Sequence, residues 1–430
     1  MADQIEQTEQ TEHTRQAERA GKAAQTAGLL DVERTREVYS NMKNPYLLKY
    51  YYKFKTLNLL NTTDIYGSSP PDIFIGRAGY PNVYMGPLVP PQSGDTSIMG
   101  EPEMWTNKSI PEIVEYRSML VRGMYKANVN DVGFGKLTDM LQELAIADKY
   151  TGVDIELKRK PSLNVSFDEN SQPFGPSAPL KEMTLENTTA NVKIEKAYSD
   201  TDMTATQAIL ELYSKGLPVS RIQKALSAGT LGIGDKRKFV PTRWSITAVD
   251  DTISKDKLKI VKDYTTLDSI RIYETVALDN RWVILMIPGE WSYELIEAWY
   301  PGTTWNESKN KIDIFSSSEF FYGRKGYAEI GGCYYAARLA VSELLEKQGA
   351  QAKVIIMRET HPGYIMPVGV WNVREHVREA LRNKPLYFAT LNDAFAHISK
   401  KMAIPINIWI KNSEVLQNIK YQKRLSGTVL

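Results

Sequence analysis

The chain has 430 residues, of which 42% are hydrophobic, 10% aromatic and 24% charged, with a net charge of +2. These values are globular and exclude a wholly disordered chain, a collagen and a simple coiled coil. No apolar run approaches the ~18–20 residues needed to cross a bilayer, no basic-then-apolar secretory signal opens the chain, and the single cysteine, Cys333, can form neither an internal disulfide nor a zinc site of several thiolates. A cytoplasmic protein without a membrane partner is the expectation.

Residues 1–28 are mostly Gln, Glu, Thr and Ala. They have too little apolar surface to offset their ordering entropy and read as a flexible tail. Tyrosines and lysines interleave over Val38–Phe54, which fits a core element with snorkelling lysines or a base-stacking surface. Breakers around Asp72–Ile75 and Asn82–Met85 predict a hairpin with Arg77 near its turn. Glu112–Met124, carrying Arg117 and Arg122, and Leu137–Ala147 have helical periodicity. The proline-rich stretch 158–185 reads as a loop or insertion. Ala205–Tyr213 and Val219–Leu226 predict a helix pair, with Ser220 and Gln223 at capping-box spacing. From Pro241 the pattern turns β-rich. Trp244–Val249 alternates as a strand ending in Asp250-Asp251, with further strands at Ser269–Leu278, Trp282–Ile287, Lys353–Met357 and Ile404–Ile410. Helices are predicted at Gly331–Gln348, Val373–Arg382 and Asn392–Lys400. The fold class is α+β: a mixed or antiparallel sheet core with surrounding helices, a flexible N-terminal tail and a short basic C-terminal tail.

Two clusters could carry chemistry. Gly229-Thr230-Leu231-Gly232-Ile233-Gly234 and Lys236-Arg237-Lys238 precede Arg243; glycines before basic residues let backbone N–H groups approach a phosphate, although the P-loop order is missing. Asp250 and Asp251 could bind a divalent ion if the chain turns there, and otherwise read as capping acids. In the second cluster Glu359 and His361 flank a Pro-Gly turn, where His361 could serve as a general base or be structural. Arg374, Arg378 and Arg382 form one helical stripe. It reads either as a solvated face balanced by Glu375 and Glu379 or as a row facing phosphates. At the C-terminus Gln422 and Leu425 begin a clamp-binding pattern that calls for aromatic rings where Thr428 and Val429 stand. Without those rings most of the pocket-filling area is gone.

Several uncommon strings in series resemble the archaeal Nre DNA-repair family. They are Ser68-Ser69-Pro70-Pro71 with Phe74-Ile75-Gly76-Arg77-Ala78-Gly79-Tyr80-Pro81, Met85-Gly86-Pro87-Leu88, Val240-Pro241-Thr242-Arg243-Trp244-Ser245, Gly331-Gly332-Cys333-Tyr334-Tyr335 and Pro367-Val368-Gly369-Val370-Trp371-Asn372. The resemblance implies an N-terminal family region at 29–300, a C-terminal region at 301–412 and a basic tail at 413–430. It also implies a role in the response to DNA damage, DNA as partner, and docking on the sliding clamp (PCNA) through the tail. The four-cysteine zinc motif of many family members is absent here, so no cofactor is expected, with a divalent metal left open. The expected phosphate-facing residues are Arg77, Arg243, Arg374 and Arg378. Whether the chain is an enzyme stays open. The alternatives are a metal-dependent nuclease using Asp250, Asp251 and Asp95 or Glu359, a nucleotide-linked transferase, and a non-catalytic adaptor.

Overall fold

The computed structural model describes residues 61–162, 175–303, 305, 306, 308 and 310–425, with side chains to Lys420. The tail at 1–28, the aromatic stretch Val38–Phe54, and Thr428 and Val429 lie outside the described residues. Among the described residues twelve helices and two six-stranded sheets make an α+β fold.

The first sheet comprises β1 (Asp64–Ser69), β2 (Ile73–Ile75), β3 (Asn82–Val89), β4 (Val121–Asn128), β5 (Thr151–Leu157) and β6 (Ser177–Leu185), in the order β1-β5-β6-β4-β3-β2. It is mixed, since β4 and β6 run parallel while the other pairs are antiparallel. Glycine is required where β3 crosses β4: a Cβ on Gly86 would lie 1.6 Å from the Gly123 carbonyl oxygen. Helix α1 (Ser97–Gly100) and helix α2 (Ile110–Ser118) precede β4, and α2 opens with a capping box between Ser109 and Glu112. The helix predicted to Met124 therefore stops at Ser118, and Arg122 stands on a strand. The stretch predicted as a loop at 158–185 contains β6. Helix α3 (Lys136–Ile146) covers one face of the sheet with Leu141, Leu144 and Ala145.

A helical layer follows: α4 (Val192–Ser199), α5 (Ala205–Ser214), α6 (Val219–Ser227) and α7 (Thr242–Val261). The capping box belongs to α5, between Thr204 and Gln207; Ser220 instead donates to Glu103 from its N–H and hydroxyl, at 2.9 and 2.7 Å. The strand predicted at Trp244–Val249 is the first half of the twenty-residue helix α7. Ile246, Val249, Ile253 and Leu258 are buried at intervals of three to five, a helical period that a six-residue window is too short to show.

The second sheet comprises β7 (Ile270–Ala277), β8 (Asn280–Ile287), β9 (Ser292–Trp299), β10 (Asp313–Glu319), β11 (Lys353–Thr360) and β12 (Leu386–Phe388), in the order β10-β9-β11-β8-β7-β12. Of these strands only β9 and β11 pair in parallel. Leu278 and Asp279, both at positive φ, make the two-residue turn between β7 and β8. Helices α8 (Gly332–Gln348) and α9 (Trp371–Arg382) join α7 on one face, where Ile284, Met286, Val341 and Val377 share a core. Helices α10 (Leu391–Lys401), α11 (Ile406–Asn412) and α12 (Glu414–Leu425) cover the other face against Val283, Leu285 and Ile296. Fully burying each such side chain contributes about 1.5–3 kcal/mol. The strand predicted at Ile404–Ile410 is thus helix α11, started after Pro405 and anchored by buried Trp409. The segment read as a basic tail from 413 is helical to Leu425 and inserts Val415, Leu416 and Ile419 into the core. The boundary at 300/301 falls between strands of a single sheet.

Candidate nucleic-acid interface

Three distant segments meet beside the first sheet. The β2–β3 turn is closed by Tyr80 N–H donating to the Arg77 carbonyl at 3.3 Å and by Asn82 N–H donating to Gly79 at 3.0 Å. Gly79 sits at φ +81°, where a side chain would be strained. Val129, just past β4, donates to the Pro81 carbonyl at 2.9 Å, and Phe239 donates to the Val129 carbonyl at 2.8 Å. Thr242, the first residue of α7, accepts from Ile75 N–H at 3.0 Å through its hydroxyl. These bonds bring the hairpin turn, the loop after β4 and the basic run before α7 onto one face.

The face carries rings and cations together. Tyr80 and Trp244 lie 5.2 Å apart between centroids, tilted by 48°. They are 43% and 45% exposed, Tyr84 is 52% and Phe134 76%, so each offers a ring to solvent. Lys126 stands across from Tyr84 in the β3–β4 register and is exposed. Arg77, Lys136, Lys236 and Lys238 are also exposed, and Arg243 is half-buried. Residues 75–84, 126–139 and 235–244 hold seven cations against three acids, Asp131, Asp139 and Asp235. The excess exceeds the net +2 of the whole chain. One of those acids, Asp131, already accepts from Asn128 N–H at 3.0 Å. Exposed rings among cations can stack on bases while the cations neutralise phosphates.

Arg77 and Arg243 are therefore brought together, whereas Arg374 and Arg378 lie elsewhere. Arg374 is 1% exposed and donates to both oxygens of Asp250 at 2.9 and 3.1 Å and to Glu375 at 3.1 Å. Its remaining nitrogen is 4.0 Å from Glu103. Arg378 donates to Glu343 and to Glu375, each at 2.8 Å. Of the stripe that spacing placed on one side of α9, Arg374 and Arg378 thus face α7 and α8, while Arg382 is exposed. Burial pushes the Asp250 carboxyl up to about 6 in spite of Arg374. Burial alone would lower Arg374, yet Asp250 and Glu375 hold it above its ordinary value.

The carboxylates singled out by sequence do not converge. Consecutive residues on a helix point about 100° apart, so Asp250 faces Arg374 while Asp251 accepts from Arg338 and, at 2.7 Å, from Lys255. Asp95 is exposed and accepts from Ser97 N–H at 2.9 Å. Glu359 is buried and caps a turn, accepting from Ile404 N–H at 2.7 Å and Ala403 N–H at 3.1 Å. His361 is bonded to Glu359 at 3.2 Å and stacked 4.4 Å from Tyr300. Burial would raise Glu359, but His361 and the two N–H groups hold it below its ordinary value. Among the described residues no group of three or more His, Cys, Asp or Glu side chains could hold a metal. Gln422 and Leu425 lie on α12 beyond the described side chains.

Sequence reasoning passed over Tyr84, Phe134 and Lys126. Tyr84 had a signal, since strand alternation sends it opposite buried Val83 and Met85. Phe134 had none, because only the fold brings its loop beside Pro81.

No helix among the described residues is long and apolar enough to cross a membrane. The model of the archaeal Nre N-terminal region matches residues 41–306, and that of the Nre C-terminal region matches 319–427. The second sheet takes β7–β9 from the first region and β11 and β12 from the second, so the two regions share a core. The DNA repair protein NreB of Archaeoglobus fulgidus is 44% identical over 82% of this chain and 89% of its own length. The DNA repair protein NreA of the same organism is 38% identical over 78% and 84%. The DNA repair protein NreA of Haloferax volcanii is 36% identical over 80% and 84%. No solved structure matches the chain. With the two family models covering most of its length and these relatives matching over most of theirs, the chain belongs to the archaeal Nre family.

Proposed function

We propose that this chain is a DNA-repair factor that holds DNA on the face around Tyr80, Trp244, Arg77 and Arg243. The relatives' names support the repair role. The observation that carries the binding reading is the exposed Tyr80–Trp244 pair, with the exposed cations Arg77, Lys126, Lys136, Lys236 and Lys238 on the three distant segments that meet there. Exposed apolar surface framed by charge marks an interaction site. The exposure of Arg77 favours a macromolecular ligand over a nucleotide enclosed in a pocket, and the divergence of Asp250 and Asp251 favours binding over a metal-dependent nuclease.

The test is anisotropy of a labelled deoxyoligonucleotide with the full chain and with Trp244→Ala. Loss of one stacking ring costs about 1–3 kcal/mol of binding. Equal affinity of the two proteins rejects the face as the binding surface, and no binding by either leaves the non-catalytic adaptor as the better reading.

Clamp recruitment through Gln422, Leu425, Thr428 and Val429 is a separate proposal, supported by the glutamine-to-leucine spacing of Gln422 and Leu425. Because Val415, Leu416 and Ile419 are core residues, its test is deletion of residues 422–430 rather than of the whole helix. Unchanged affinity for the purified clamp rejects it.

A further inference from the structure

We infer that the binding face continues past Trp244 onto the loop Phe320–Tyr327, and that its ligand is a single nucleic-acid strand stacked on both stations. This rests on the nucleic-acid reading of the first station and gives it a substrate class. Trp244 and Thr247 are one turn apart on α7 and share a side of the helix. The Thr247 hydroxyl is 3.4 Å from that of Tyr327, so the loop begins where the first station ends.

The loop holds its rings outward. Tyr327 is 58% exposed and leans on Tyr335, a nearly buried ring 5.3 Å away, whose hydroxyl accepts from Ala328 N–H at 3.0 Å. At the tip a turn closes with Gly323 N–H donating to the Phe320 carbonyl at 2.8 Å, with Gly323 at φ +77°. That turn holds Tyr322 97% exposed and edge-on to Phe321 at 5.5 Å. Lys325 beside it is exposed.

The acids along this path are already matched. Glu329 accepts from Arg324 at 2.7 Å and from Ser317 at 2.8 Å, and Asp251, one turn beyond Thr247, is held by Arg338 and Lys255. A phosphate backbone therefore meets cations and neutralised carboxylates. Base faces are available to such rings only in an unpaired strand. A duplex would engage the cations and leave the rings idle.

The experiment measures binding of the full chain to a labelled single strand of about 16 nucleotides, near the upper site sizes of single-strand grooves, and to a duplex of the same length. The wild type binds the single strand more tightly, and Tyr322→Ala/Tyr327→Ala weakens that binding about fivefold or more with less effect on the duplex. Tyr322→Ala alone, at a ring almost wholly exposed, weakens it in the same direction. If the loop variants bind as the wild type does while Trp244→Ala is weakened, the second station is overturned and the first stands. If the wild type prefers the duplex or binds both alike, the single-strand assignment is overturned. If neither Trp244→Ala nor the loop variants change binding, both readings fall.

Discussion

Arg77 and Arg374 stand in equally conspicuous strings of this sequence, and the fold gives them opposite surroundings. Around Arg77 the cations outnumber the acids, five of them are exposed, and exposed rings stand on the same segments. Around Arg374 the guanidinium is 1% exposed and meets Asp250, Glu375 and Glu103 in a seam between α7, α9 and the turn after α1. Arg378, Glu343 and Tyr213 continue the seam. An arginine whose charge is already matched and desolvated holds the fold, because separating it from its partner leaves a buried charge. An arginine in excess at the surface is available to an anion. Motif strings show that a residue matters; burial decides what for.

The largest effect expected from this contrast is on stability. Arg374→Ala strands Asp250 in the interior and should lower the unfolding free energy by about 3–5 kcal/mol in urea titration. Arg77→Ala should leave it within about 0.5 kcal/mol. Equal losses from the two would erase the distinction. Next in size is the loss of about 1–3 kcal/mol of DNA affinity in Trp244→Ala, with an unaltered urea midpoint separating it from a folding defect.

A smaller effect follows from Asp250. Its folded value, about 6, lies above the ordinary 3.8. The folded state therefore holds the extra proton between those values. The stability this group contributes is present below about 3.8 and lost as pH rises through about 6. Asp250→Asn removes that slope, so the wild type should lose ground to the variant between about pH 4 and pH 7. A constant difference across that window contradicts the assignment. Glu343 and Glu359 act with the opposite sign: burial would raise both, but Arg378 lowers the first and His361 the second, so their contribution is lost as pH falls below the ordinary 4.5.

Much of the fold was legible because punctuation was local. Proline and glycine bracket β2 and β3, and α8 ends at left-handed Gly349. Errors arose where a short window admits two periods: Trp244–Val249 alternates by two, yet over twenty residues its burial follows a helix. Ile404–Ile410 failed for the same reason, with Trp409 the buried anchor. The arginine stripe on α9 was legible as a stripe. Its face was not, because Glu343 and Asp250, which cover it, come from other helices. The proposed binding face was half legible. Arg77 and Arg243 were marked by their strings, but their adjacency depends on the Pro81–Val129–Phe239 backbone bonds, which no local pattern encodes.

The most direct test of the central claim is a salt titration of single-strand binding by the wild type and by Arg77→Ala/Lys126→Ala, two exposed side chains on the proposed face. The expected result is a linear fall of log K with log salt, made shallower by about 1.4 in the double variant, at roughly 0.7 for each phosphate that no longer meets a cation. A flat wild-type line, or the same slope in both proteins, would contradict it.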